Sequence, residues 1–83
     1  MIPIQDLLNR IIWDKDFGQG NFEVGYYDRV DEKIIKVPFQ QIEFIEGDHF
    51  SFQLIGPFDE IISVPFHRVR KVFKDDQLIW ERP

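Results

Sequence analysis

The densest group of cationic side chains in the chain lies in the segment His67-Arg68-Val69-Arg70. Arginine carries a planar fork of N–H donors that fits the oxygens of a phosphate or carboxylate group, and a histidine ring adds a further donor. A turn that begins at a proline, here Pro65, also exposes backbone N–H groups that contribute to an anion nest. The segment therefore predicts a site for one small anionic group, with an ordinary solvated strand face as the alternative.

An earlier part of the chain is similar to this segment in its apolar residues but not in its charge. Ile34–Phe39 and Ile61–Phe66 match at five of six positions. After the shared Pro-Phe, the first copy continues with two glutamines, where the second has His67 and Arg68. The common residues predict an internal repeat, a strand–turn–strand–hairpin–strand unit used twice. Since the first copy makes its turn without them, His67 and Arg68 call for a functional explanation.

Arg29 is a second candidate because of the alternating pattern around it. Apolar and polar residues alternate through this part of the chain, which predicts a strand with Tyr27 and Arg29 on one face and Gly25 leaving room beside them. An arginine beside an aromatic ring on a flat strand face combines a phosphate fork with a stacking platform. The alternative is an ion pair of Arg29 with Asp28 or Glu23.

Trp13 and Asp14 form a third candidate, directly after a predicted helix. Trp13 fits a core or rim aromatic. Asp14 can accept hydrogen bonds from local backbone, pair with an arginine, or support an arginine that binds a ligand. The residue types leave these uses open.

Several kinds of catalytic and cofactor site are missing from the sequence. It contains neither a Gly-x-Gly-x-x-Gly pattern nor a P-loop. Two histidines, His49 and His67, without cysteine and without metal-ligand spacing make a poor metal site. We therefore expect no cofactor and no metal. Catalysis with His67 as general acid or base stays open, but nothing in the sequence requires it, so a binding module is expected before an enzyme.

The apolar periodicity predicts one helix followed by strands. A helical stripe at i, i+3 and i+4 spacing runs through the first residues, and its members are Ile4, Leu7, Leu8, Ile11 and Ile12. The period then changes to two and predicts about seven short strands, over residues 22–30, 34–37, 43–46, 49–55, 61–64, 69–74 and 77–81. We expect an α+β fold and a single domain over residues 1–83. Its antiparallel sheet should curl strongly or close into a small barrel, with the helix over one face or end.

The charge of the chain is negative overall but unevenly distributed. The net charge is −5, while residues 61–83 hold five basic and three acidic residues. A local basic patch on an acidic body suits one small anionic group better than a long phosphate backbone. The chain has no cysteine, no visible signal-peptide pattern and no apolar run of about 20 residues that would span a bilayer. A cytoplasmic protein without membrane contact is predicted.

Four blocks of the chain occur in the same order in a known family, and they are Asn9–Asp14, Val24–Arg29, Pro65–Arg70 and Leu78–Arg82. The chain resembles the small, mainly archaeal proteins of domain of unknown function 504, also called the RNA cyclic group end recognition domain. The resemblance implies binding to RNA ends that carry a 2′,3′-cyclic phosphate or a similar group. Similar domains are joined to RNA-processing modules in other lineages, so an RNA-processing protein is one candidate partner. The polar positions that match the family are Trp13, Asp14, Tyr27, Asp28, Arg29, His67 and Arg68.

Three functions follow from these observations. The leading hypothesis is a nucleic-acid-binding module that recognises RNA ends or nucleotides bearing a cyclic phosphate group, through the Arg/His cluster. The second is an enzyme that processes the same ends with His67 as acid or base. The third is a protein-interaction or structural domain that has no ligand. The residues do not predict an oligomeric state.

Overall fold

A computed structural model describes residues 2–56 and 58–82. The described chain contains one α-helix, six β-strands and two single turns of 3₁₀ helix. In chain order they are α1 (Ile4–Trp13), β1 (Phe22–Asp28), β2 (Lys33–Pro38), a 3₁₀ turn (Phe39–Gln41), β3 (Ser51–Ile55), β4 (Ile61–Pro65), a second 3₁₀ turn (Phe66–Arg68), β5 (Val69–Lys74) and β6 (Gln77–Glu81). The α+β class and the N-terminal helix are confirmed.

Helix α1 follows the predicted stripe closely. Pro3 precedes it with the fixed φ that suits a helix start. Asp6 lies in its first turn and Arg10 in its last, so both charges interact favourably with the helix dipole. Its buried residues are Ile4, Leu7, Leu8 and Ile11. Ile12, the fifth predicted member, is instead 41% exposed. No helix in the described parts of the chain has the length and apolar character to cross a membrane.

The strands form two antiparallel sheets that do not close into a barrel. Four strands lie in the order β2-β1-β5-β6, and β3 pairs with β4 in a separate hairpin. The predicted curled or closed sheet of seven strands is therefore wrong. Pro38 and Pro65 lie at the ends of β2 and β4, where the missing N–H prevents each strand from continuing the ladder. The predicted strand at residues 43–46 is reduced to an isolated bridge between Glu43 and Gln53.

The predicted internal repeat is not supported as a structural unit. Both similar segments form a strand, a proline and one 3₁₀ turn. Their surroundings then differ, because β2 pairs with β1 whereas β4 pairs with β3. The second 3₁₀ turn continues directly into the regular strand β5, while the first is followed only by the isolated bridge. Similar local sequence thus produces a similar turn but not the same strand pairing.

The core lies between one face of the four-stranded sheet, the helix and the β3–β4 hairpin. It is built from α1 and from alternate strand positions, with Phe52, Val24, Val64, Val69 and Val72 almost fully buried. A chain of aromatic rings connects the elements, in the order Phe17, Phe22, Phe39, Phe44 and Phe66. Removing one such buried ring costs about 3–5 kcal/mol. The core therefore holds the two sheets together without a hydrogen-bonded ladder between them.

Candidate functional site

Antiparallel pairing brings two chain turns to the same end of the four-stranded sheet. Strand β1 ends at Asp28 and turns into β2, while β5 begins at Val69, directly after the second 3₁₀ turn. The register pairs Val69 with Tyr26. We call this region the arginine end, and its cationic residues are Arg29, His67, Arg68, Arg70 and Arg82. The topology therefore places residues 27–29 and 67–68 at the same end of the sheet. That they form a common site stays a prediction.

Arg29 lies in the β1–β2 turn and not on a strand face. The predicted strand through residue 30 was too long, because the Asp28 Oδ1 accepts a 2.9 Å hydrogen bond from the backbone N–H of Val30 and turns the chain there. Asp28 thus shapes the turn that presents Arg29, and no ion pair joins the two residues in the described structure. Arg29 is exposed, so its guanidinium is available to a ligand.

Arg68 is half-buried and lacks a protein acceptor at one atom. Its Nε is fully shielded, yet no hydrogen-bond acceptor in the described chain contacts it. A buried donor without an acceptor costs about 1–3 kcal/mol, and more when it is charged. Most such groups in native proteins are satisfied, so this donor of Arg68 is an exception that calls for an explanation.

The β-bulge at the start of β5 sets the direction of Arg70. Gly25 pairs with Lys71 and Tyr26 pairs with Val69, which leaves Arg70 as the extra residue. Its guanidinium carbon lies 5.8 Å from the ring centroid of Tyr27, within the range of a cation–π contact. The arginine next to Tyr27 on the sheet face is therefore Arg70, where the alternating pattern predicted Arg29.

Arg82 is a residue of this region that sequence reasoning did not include among the site residues. Its Nε donates to the carbonyl oxygen of Val69 at 2.9 Å, and its Nη2 donates to that of Phe66 at 3.3 Å. The guanidinium also lies 5.2 Å from the Trp80 ring. These bonds tie the end of the chain to both sides of the 3₁₀ turn that carries His67 and Arg68. The only sequence signal was its place two residues after Trp80, on the last strand.

The four arginines of the arginine end have no carboxylate partner in the described residues. Three ion pairs occur in the described residues, and they join Arg10 to Asp14, Lys36 to Glu23, and Lys71 to Glu81. None involves an arginine of the arginine end, although the chain carries a net charge of −5. His67 lies exposed in the middle of the 3₁₀ turn between them. The region can therefore offer several N–H donors to one anion.

Asp14 lies apart from this region. Its pKa is lowered chiefly by a hydrogen bond from the Phe17 backbone N–H, and Arg10 adds an opposite charge beside it. Because the Phe17 ring packs on Phe22 at the start of β1, Asp14 is separated from Arg29 by the length of that strand, roughly 20 Å. Of the uses that the sequence left open, Asp14 thus accepts hydrogen bonds from local backbone and pairs with Arg10.

Trp13 is not a core residue. Its side chain is 80% exposed and lies at a groove of about 410 Å³ between α1 and residues 44–49, next to His49. Phe66, directly before His67, also lines this groove. The groove has Glu46 and Asp48 in its wall and no lysine or arginine among its lining residues. Within the described chain, no three His, Asp or Glu side chains meet in a way that could hold a metal ion.

The fold is a small α+β domain whose open sheet has several arginines at one end. Residues 1–82 match the family model of the MJ1316 RNA cyclic group end recognition domain, and the chain belongs to this family. It is also similar to a UPF0248 protein of Metallosphaera sedula, with 30% identity over 81 residues that cover 98% of this chain and 94% of the relative. No solved structure matches the chain.

Proposed function

We propose that this protein is a nucleic-acid-binding module that recognises RNA ends, or nucleotides, bearing a cyclic phosphate. The observation that carries the proposal is the arginine end, where no arginine has a carboxylate partner in the described chain. The family name, which refers to the recognition of cyclic groups at RNA ends, agrees with the chemistry of this region. An anion with several oxygens on one small group is the ligand that such a cluster selects.

Each residue of the cluster has a distinct use in this proposal. A 2′,3′-cyclic phosphate has one negative charge and two free oxygens, and the guanidinium groups of Arg29 and Arg68 supply charge-assisted hydrogen bonds to them. His67 donates to a bridging or sugar oxygen. Tyr27 stacks on the terminal base, and Asp28 keeps the turn of Arg29 in place. The negative charge of the rest of the chain discourages binding along a phosphate backbone.

Trp13 and Asp14 are the two remaining positions implied by the family resemblance. In this proposal they do not bind the terminal phosphate. Asp14 orders the loop after α1 and supports Arg10. Trp13 is exposed, but its groove has no cation to hold a phosphate. Trp13 therefore has no phosphate contact in this proposal.

Affinity for three matched oligoribonucleotides tests the proposal. They share one sequence and end in a 2′,3′-cyclic phosphate, a linear 3′-phosphate or a hydroxyl. We expect the cyclic end to bind at least tenfold more tightly than the hydroxyl end, and Arg29→Ala and Arg68→Ala to remove that preference. Arg10→Ala is the matched control, because Arg10 is paired and lies outside the cluster. Equal affinity for all three ends refutes end recognition.

The same mixtures also test the enzymatic alternative. Ring opening of the cyclic phosphate in the presence of the wild-type protein, lost in His67→Ala, would show that His67 acts as an acid or base. Unchanged RNA after prolonged binding is the result expected for a binding module.

A further inference from the structure

We propose that the open face of the four-stranded sheet binds the single-stranded nucleotides that precede the recognised end. This inference rests on the proposed function and extends it from a terminal group to a class of ligand, a single-stranded RNA end of at least about three nucleotides. The helix and the β3–β4 hairpin pack on the opposite face of this sheet, through Val24, Val72 and Trp80. In the described parts of the chain, no such element covers the open face.

Two aromatic rings lie on this face, on its two central strands. Tyr27 belongs to β1 and Phe73 to β5, and Phe73 pairs with Glu23. Tyr27 and Glu23 are four residues apart on β1, so the two rings are about 13 Å apart along the strands and about 5 Å across them. Both side chains are half-buried. Aromatic rings on the flat face of a sheet form the platform on which single-stranded bases stack.

Cations accompany both rings. The Arg70 guanidinium lies 5.8 Å from the Tyr27 ring, and the Lys36 ammonium lies 4.2 Å from the Phe73 ring. Lys71 is between them, since its strand position is opposite Gly25. Alternating rings and cations match alternating bases and phosphates. Arg70 belongs both to the arginine end and to this face. An RNA strand whose terminal phosphate is bound at the arginine end therefore extends onto this face.

Two carboxylates share the face and limit its charge. Glu23 pairs with Lys36 at 3.5 Å and Glu81 pairs with Lys71 at 3.7 Å. With Arg70, three cations face two carboxylates, which leaves an excess of one positive charge. A base that stacks on Phe73 must displace the Lys36 side chain, whose ammonium then becomes available to a phosphate. Binding of RNA to this face alone is therefore expected to be weak. Its binding free energy should add to that of the terminal phosphate.

The spacing of the rings predicts how long the ligand must be. Neighbouring bases in a stacked helix are about 3.4 Å apart, far less than the roughly 14 Å between Tyr27 and Phe73. The RNA strand must therefore be extended, with at least one nucleotide between the base on Tyr27 and the base on Phe73. A duplex end cannot adopt this conformation, so single-stranded ends are preferred.

The test measures affinity against ligand length. The ligands are uridine 2′,3′-cyclic monophosphate, uridine oligomers of two to six nucleotides with the same cyclic end, and their hydroxyl-ended counterparts. We expect affinity to rise about tenfold between one and four nucleotides and then to level off. Phe73→Leu should abolish this rise and keep the affinity for the mononucleotide. Phe58→Leu, at an aromatic that is 87% exposed and lies outside the four-stranded sheet, should leave the rise unchanged.

The outcomes separate this inference from the proposed function. Absence of a length effect in the wild type, or an unchanged effect in a folded Phe73→Leu variant, overturns the platform and leaves end recognition intact. If affinity rises with length equally for cyclic and hydroxyl ends, and this rise depends on Phe73, end recognition is overturned and the platform stands. If Phe73→Leu fails to fold, Lys71→Gln replaces it, and loss of one phosphate contact should reduce the slope of log affinity against log salt by about 0.7. An unchanged slope then overturns the platform.

Discussion

The Nε atom of Arg82 donates a 2.9 Å hydrogen bond to the backbone carbonyl of Val69 and so ties the last residues of the chain to the start of β5. The same guanidinium reaches the carbonyl of Phe66, on the other side of the 3₁₀ turn. Arg82 therefore acts through the turn that presents His67 and Arg68, as a positioning residue.

Replacing Arg82 should affect stability and binding together. Arg82→Ala removes two hydrogen bonds from a charged donor, and we expect the free energy of unfolding to fall by about 2 kcal/mol. RNA affinity should fall as well, because the turn is no longer held. Urea denaturation and the binding assay measure the two effects, with Arg10→Ala as a control. A fully stable Arg82→Ala variant would contradict this role.

Replacing Arg68 should separate binding from stability. Arg68→Met keeps an apolar stem of similar length and removes a buried N–H that has no acceptor in the described chain. We expect the free energy of unfolding to stay the same or rise by about 1 kcal/mol, while the preference for a cyclic phosphate end is lost. A strong loss of stability would instead identify Arg68 as part of a structural network, as the hypothesis of a ligand-free domain requires.

Asp14 should make stability depend on pH in the acidic range. Its folded-state pKa is lowered, first by the hydrogen bond from the Phe17 N–H. The carboxylate therefore stabilises the fold above its ordinary value of 3.8, and this contribution is lost as the pH falls through the lower folded value. The difference in unfolding midpoint between wild type and Asp14→Asn should be present at pH 7 and shrink below about pH 4. A difference that is constant with pH would contradict the assignment.

The β5–β6 turn should become more stable when one aspartate is replaced by glycine. Asp75 and Asp76 have φ values of 50° and 68°, in the left-handed region. Asp76→Gly removes that strain and should stabilise the protein by roughly 1 kcal/mol. Asp75→Gly should not, since the Asp75 carboxylate accepts a 2.9 Å hydrogen bond from the Asn21 N–H. Melting temperatures of the two variants provide the comparison.

Local patterns predicted much of the secondary structure and little of the pairing. The stripe from Ile4 to Ile12 predicts α1 within one residue at its end, because a helix is specified by its own spacing. The barrel was wrong because strand pairing depends on partners far along the chain. The apolar residues near Glu43 pack on the core rings without forming a ladder, and alternation alone does not distinguish these cases.

The placement of the candidate residues followed from the sequence only in part, and that they form a site stays a prediction. Arg29, His67 and Arg68 do come to one end of the sheet, since antiparallel neighbours place their turns together. Arg70 next to Tyr27 depends on a β-bulge, and the contact of Arg82 with Phe66 spans 16 residues. Such long-range contacts leave no local pattern, so sequence reasoning did not reach them.

Amide chemical-shift mapping of the wild-type protein tests end recognition at the level of single residues. A uridine trinucleotide that ends in a 2′,3′-cyclic phosphate is titrated, followed by the same trinucleotide with a hydroxyl end. We expect the largest difference between the two titrations at residues 28–30 and 67–70. Identical shifts with both ligands, or a difference that is confined to the groove beside Trp13, would contradict recognition by the arginine end.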